Sequence, residues 1–221
     1  MKKMNTIIFD MDGLLIDSEP LWYEAAQESL KMFKVSIEEE EYNKTTGLRT
    51  PEFLHHWFTV LDIDHSHIES TEKDIVQRVV SKVIEKGTVM KGVEKTLELV
   101  AENGCKIGLA SSSPMNVIEA VLSKTSLSKH FKAISSAEHL PYGKPNPQVF
   151  LNCAELLNSH PTPCICVEDS FNGMIAAKSA RMKCIIVPHP SQYHSEKWNI
   201  ADLKLSSLEE MNQDVLSAIL K

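Results

Sequence analysis

Asp10 and Asp12 stand two apart in FDMDG, directly after the apolar run 6–9. In an extended chain that spacing turns both carboxylates to the same side. Two anions so close repel each other unless a cation or a shared proton lies between them. A divalent metal meets that need, and hard oxygen donors suit Mg²⁺. Gly13 then lets the backbone turn sharply away. A second acidic pair, Glu168 and Asp169, follows the apolar run 164–167 and precedes a helical stretch. Each pair also has a plainer account: a solvated turn for the first, a helix cap by Asp169 and Ser170 for the second. Convergence of all four acids favours a metal site over both.

A phosphate held there needs donors. Ser111, Ser112 and Ser113 follow the apolar run 107–110 and are followed by Pro114 and a helical pattern. Their hydroxyls and the amides of a helix start can serve an anion, or they can simply cap the helix. Lys144 lies in LPYGKPNP between Gly143 and Pro145, a stiff stretch that does not suit a freely moving lysine. Held there, its ammonium can neutralise an anionic intermediate.

Side chains from distant segments meet only if the fold delivers them to one place. Short apolar runs at 6–9, 106–110, 133–134, 165–167 and 184–187, with a weaker one at 203–205, read as strands. Between them, 92–103, 115–125, 147–157 and 173–180 have helical periodicity. Strands alternating with helices of this length predict a doubly wound α/β fold with a parallel sheet. In such a sheet the carboxyl ends of neighbouring strands face one crevice, and both acidic pairs sit at such ends.

From 19 to 87 no strand-like run appears, and apolar residues recur at three-to-four spacing. One helix starts at Pro20 and runs through Leu30 to Phe33, a second spans 51–61, and a third spans 72–86. Residues 19–87 are therefore expected to form a helical cap, with 1–18 and 88–221 as the α/β core. Helices belonging to a single domain are the alternative.

The chain has 221 residues, 43% hydrophobic and 24% charged, the balance of a globular protein. No stretch approaches the ~20 apolar residues of a membrane span. After the lysines of MKKMNTIIFDMD the apolar run is broken by Asp10 and Asp12, so it does not read as a signal peptide. A cytoplasmic location is expected. The five cysteines lack a disulfide spacing. Cys164 and Cys166 share a strand face, which suits two buried core side chains better than a metal site. A net charge of −7 disfavours nucleic acid as a partner but allows a small anion at a local positive site. Gly87 and Gly92 have the gap of a Walker loop, but Val93 and Glu94 stand where Lys and Ser/Thr are required. HExxH and G-x-S-x-G are absent, and the nine histidines show no metal-ligand spacing.

DMDG, a strand ending in serine, Lys144 in GKP and the VEDS pair occur here in that order. Together they resemble the haloacid dehalogenase superfamily over essentially the whole chain. DGLLIDSEPLW, GLASSSP, LPYGKPNPQVF and VEDSFNGMIAAKSARM are most similar to its branch of β-phosphoglucomutases, hexitol-phosphate phosphatases and 2-deoxyglucose-6-phosphate phosphatases. The resemblance implies a Rossmann-like core with a helical cap inserted after the first motif. It implies a Mg²⁺-dependent phosphatase acting on a small phosphorylated metabolite, a hexose or hexitol phosphate. Asp10 would be the nucleophile and Asp12 the general acid and base. Ser111 and the neighbouring Ser112 and Ser113 would bind the phosphoryl oxygens, and Lys144 would neutralise charge. Asp10, the Asp12 carbonyl and Asp169 would ligate the metal, with Glu168 acting directly or through water.

Departures from the family pattern sort its activities. Asp12 with Asp169 argues against a metal-free dehalogenase. A phosphosugar mutase, the runner-up, carries a histidine ten residues after the acid-base aspartate, where this chain has Trp22. Phosphonate hydrolysis needs a lysine near that place, which Pro20, Leu21, Trp22 and Tyr23 do not supply. Trp22 is either a packing residue or a wall against the substrate carbon chain. Arg49 in TTGLRTP resembles the cap arginine that holds the distal end of sugar phosphates, at a different offset from Gly47. The protein is expected to be a monomer.

Overall fold

The computed structural model describes residues 5–221; the two lysines at the amino terminus lie outside the described residues. The chain begins with β1 (Thr6–Phe9) and enters a helical stretch of α1 (Glu19–Leu30), α2 (Glu39–Tyr42), α3 (Thr50–Val60) and α4 (Ile68–Lys86). It then alternates: α5 (Val93–Glu102), β2 (Lys106–Ser111), α6 (Met115–Thr125), β3 (Ala133–Ser136), α7 (Gln148–Leu156), β4 (Cys164–Glu168), α8 (Phe171–Ser179), β5 (Lys183–Ile186), β6 (Leu203–Lys204) and α9 (Gln213–Ile219).

All six strands are parallel, in the order β3-β2-β1-β4-β5-β6. This is a Rossmann-like sheet with β1 at its centre, and its crevice lies where the strand order reverses. Phe9 is level with Leu109 on one side and Val167 on the other, so Asp10 leaves the sheet beside Ala110 and Glu168.

Alternation along β1 shows how the sheet is covered. Ile7 and Phe9 pack with Val93, Leu97 and Val121 of the α5 and α6 side. Ile8 packs with Val149, Phe150 and Met174 of the α7 and α8 side. A strand buried on both faces is mostly apolar: Ile7, Ile8 and Phe9 are buried, and Thr6, buried with them, shares a hydrogen bond with the Ser159 hydroxyl at 2.7 Å. Cys164 and Cys166 join the second cluster with Cys153 and Cys184. Burial pushes the Cys164 thiol up to about 11 and Cys153 up to about 12, which leaves them unreactive core side chains.

In the helical stretch, α1 packs along α4. Val79 and Val83 are buried together with Ala25 and Leu30. Alongside them Glu28 pairs with Arg78 at 2.9 Å and Lys82 at 3.0 Å, and Glu24 pairs with Lys82 at 2.9 Å. Such partly exposed pairs contribute roughly 0–1 kcal/mol each, so the apolar seam holds the two helices together. The chain leaves and re-enters the sheet side by side: Asp17 N donates to Thr88 O at 2.9 Å, and Met90 N to Leu15 O at 3.0 Å.

Helix α4 begins at Ile68, four residues before the expected start, because Ile68 and Thr71 are buried within a polar stretch that hides the period. Helices α2 and α9 were not anticipated; the first has four residues and the second seven, too short for a periodic signal. Among the described residues no helix is long and apolar enough to cross a membrane.

Candidate active site

Asp10, at the end of the central strand, is 6% exposed. Its Oδ1 accepts a hydrogen bond from Lys144 Nζ at 2.5 Å. The same ammonium donates to Glu168 Oε1 at 2.5 Å and to Ala110 O at 3.2 Å, and it lies 4.9 Å from the centroid of the Phe150 ring. Burial works against the lysine's charge, but Asp10 and Glu168 outweigh it and raise its pKa. Burial, with Glu168 next, pushes Asp10 up to about 8 despite the lysine. One ammonium thus serves two buried carboxylates.

Glu168 ends β4 and is wholly buried. Its Oε2 accepts from Asp169 N at 3.1 Å, Ser170 N at 3.2 Å and Ser170 Oγ at 3.1 Å. Ser170 in turn caps α8 by accepting from Gly173 N at 3.0 Å. The carboxylate lies so close under this helix start that a Cβ on Gly173 would overlap it. Helix interiors disfavour glycine by about 1 kcal/mol relative to alanine. Here the missing side chain makes room for Glu168. Gly173→Ala is therefore expected to lower stability by roughly 1–3 kcal/mol, the usual range for overpacking, and to lower turnover by moving Glu168 off Lys144. Thermal melting together with steady-state kinetics checks this; an unchanged melting temperature would show that Glu168 shifts freely.

Asp12 is oriented by a ring of donors. Ser18 Oγ at 2.6 Å and Trp22 Nε1 at 2.9 Å reach its Oδ1; Ser113 Oγ at 2.6 Å and Ser111 Oγ at 3.3 Å reach its Oδ2. An indole N–H only donates, so Asp12 is the acceptor in its bond with Trp22. Trp22 also lines the pocket. Gly13 follows with φ +71°, and a Cβ there would strike the Asp169 carboxylate. Asp169, Asp10 and Glu168 each offer a carboxylate oxygen within 4.8 Å of the others. Burial first, then Glu168 and Asp10, raise the Asp169 pKa well above the carboxylate range.

One pocket therefore gathers Asp10, Asp12, Ser111, Ser113, Lys144 and Asp169 at the carboxyl ends of the strands. Ser112 also lines it, but its hydroxyl donates to Gly47 O at 3.1 Å across to the helical stretch. Arg49 lies outside the lining. Its guanidinium donates to the backbone oxygens of Ala137 at 3.1 Å and Pro141 at 3.2 Å and to Leu140 O, and it pairs with Glu52 at 2.7 Å. Glu52 also accepts from Gly143 N at 2.9 Å, so Arg49 and Glu52 clamp the loop that carries Lys144. Residues overlooked in the sequence are Glu19 and Tyr42, which line the pocket, and Gly173. Only Gly173 left a signal, as a lone glycine in a helical pattern.

Three comparisons bear on this arrangement. A family model described as haloacid dehalogenase-like hydrolase matches residues 7–187. Hexitol phosphatase B of Escherichia coli K12 is 42% identical over 205 residues, 92% of each chain. A phosphorylated carbohydrates phosphatase of Thermotoga maritima is 32% identical over 185 residues, 82% of this chain and 84% of that one. Among solved structures, β-phosphoglucomutase from Clostridium difficile has a TM-score of 0.86 at 26% identity, covering 98% of this chain and 97% of that one.

Proposed function

The chain belongs to the haloacid dehalogenase-like hydrolases and is a phosphoric monoester hydrolase; on that premise we propose that it hydrolyses a hexose or hexitol phosphate through a covalent intermediate on Asp10. The observation that carries this reading is the gathering of Asp10, Asp12, Ser111, Lys144 and Asp169 in one pocket. Similarity to phosphatases of hexitols and phosphorylated carbohydrates supports the substrate class.

A carboxylate oxygen of Asp10 attacks phosphorus, and the bond from phosphorus to the sugar oxygen breaks. Protonated Asp12 gives its proton to the departing alkoxide. Water then attacks the aspartyl-phosphate and passes a proton to Asp12, releasing inorganic phosphate and restoring Asp10. Lys144 offsets charge on Asp10 throughout, and the Ser111 and Ser113 hydroxyls and nearby amides hold the equatorial oxygens. Residues 19–87 act as a helical cap on a core of 1–18 and 88–221, closing over the pocket through Arg49, Glu52 and the contact of Gly47 with Ser112. Closure excludes bulk water during transfer.

The donor set fits a hard divalent cation. Two buried carboxylates, Asp10 and Glu168, converge with the half-buried Asp169, one lysine is their nearby counter-charge, and Asp10 and Asp169 are pushed toward protonation, the expected state of a ligand cluster without its cation. Asp10, Asp169 and the Asp12 carbonyl would hold it; Glu168, already engaged by Lys144 and two amides, would act through water. Mg²⁺ bound there supplies positive charge to the transferring phosphoryl group.

Release of inorganic phosphate from a panel of sugar and hexitol phosphates tests the function. A mutase would keep the phosphate on organic product. Metal removal has a second readout. In metal-free protein Asp10 and Glu19 are held up to about 8, so the folded state keeps protons that the unfolded chain releases above about pH 4. Stability should therefore fall as pH rises through that window, and Mg²⁺ should restore it most at the alkaline end. Turnover should vanish with a chelator and return with Mg²⁺. Full turnover in excess chelator would remove the metal from the mechanism.

A further inference from the structure

The strand ends and the helical stretch contribute different chemistry to the pocket. From the helices come Glu19, Trp22, Ala26, Tyr42, Phe53 and Ile75, together with Thr50 at the start of α3. Trp22 has its indole N–H on Asp12, and Ala26, Phe53 and Ile75 carry no polar side-chain atoms. Glu19 and Tyr42 differ. Their carboxyl and phenol face a pocket bounded by these apolar neighbours, and neither is hydrogen-bonded among the described residues. The Tyr42 ring is fixed by edge contacts with Tyr23 and Phe53, with centroids 5.1 and 5.4 Å away. The two groups are close enough that, after burial, the charge of Glu19 is the next cause raising the Tyr42 pKa.

The Glu19 carboxyl and Tyr42 hydroxyl are not among the fully buried side-chain atoms that lack a partner, so both are open to the pocket and to a molecule bound in it. Glu19 is also outside the trio of carboxylates that converge within 4.8 Å, so membership of that cluster does not account for it. A ligand offering hydroxyl groups would satisfy both side chains.

We propose that Glu19 and Tyr42 read hydroxyls on the carbon chain of a polyhydroxylated phosphomonoester, Glu19 accepting from them and the Tyr42 phenol bonding a neighbouring one. The pair thereby selects polyol and sugar phosphates over alkyl and aryl phosphates. A site built to bond a hydroxyl discriminates strongly against ligands lacking it, because its own polar groups are then left unpaired.

The inference rests on the sugar-phosphate phosphatase proposed above, and one experiment separates the two. kcat/KM is measured for a hexitol phosphate and for 4-nitrophenyl phosphate with wild-type protein, Glu19→Gln and Tyr42→Phe, with the Mg²⁺ half-saturation of each. Turnover of neither substrate by wild-type protein would end the phosphatase reading. Given wild-type turnover, the hexitol-to-aryl ratio should fall at least tenfold in Glu19→Gln and in the same direction, by a smaller factor, in Tyr42→Phe. A ratio within threefold of wild type in folded Glu19→Gln overturns the proposal. So does a tenfold rise in Mg²⁺ half-saturation with equal losses on both substrates, which would place Glu19 on the metal side.

Discussion

Lys144→Met should lower kcat by about a thousandfold and stability by about 3–5 kcal/mol, the cost typical of removing one partner from a buried ionic group. The ammonium is 2% exposed and lies 2.5 Å from both Asp10 and Glu168. Methionine fills the same channel over Phe150 without charge, so the packing loss is small and the electrostatic loss dominates. The vacated carboxylates then face each other across a buried gap and take up a proton at neutral pH. The stability deficit should accordingly shrink on acidification, as the unfolded carboxylates also become protonated. In turnover, nothing would offset charge building on Asp10 and the phosphoryl group. Denaturant melts at two pH values and a single-turnover assay check both parts. A variant within tenfold of wild-type kcat, and equally stable, would show that Lys144 neither balances the carboxylates nor assists transfer.

The lysine shows what the amino-acid sequence conveys. Its place between Gly143 and Pro145 marked it as fixed, and the apolar runs before Asp10, Ser111 and Glu168 located three strand ends. Those signals are local, and a parallel sheet converts them into proximity by a general rule. The partners of Asp12 were less legible. Ser18 and Trp22 reach it from the start of α1, and nothing in their spacing announces a hydrogen bond. Arg49 read as a ligand residue because TTGLRTP resembles the loop of a cap arginine that holds sugar phosphates; its partners are Glu52, three positions on, and carbonyl oxygens 88 to 92 positions away, which no periodicity encodes. Glu19 and Tyr42 were hidden for a similar reason. Glutamate in a first helical turn ordinarily serves the helix dipole, and an isolated tyrosine reads as core. Only the helical stretch folded over the strand ends gives them a common pocket.

Asp10→Asn should fold and lose hydrolysis by at least about ten-thousandfold, because an amide cannot act as the nucleophile toward phosphorus while the size and the bond from Lys144 can persist. Folding need not suffer. Burial holds the wild-type carboxyl up to about 8 in metal-free protein, so near neutral pH it must take up a proton on folding, a cost that a neutral amide avoids, and metal-free Asp10→Asn should melt above wild type near neutral pH. That difference should close below about pH 4, where the aspartate is protonated in folded and unfolded chains alike. The most direct measurement is inorganic phosphate released from a hexitol phosphate by the two proteins side by side with Mg²⁺, each verified as folded by its melt. Wild-type protein is expected to release phosphate with every turnover, and folded Asp10→Asn to stay at background. Release by the folded variant within tenfold of wild type would contradict Asp10 as the nucleophile.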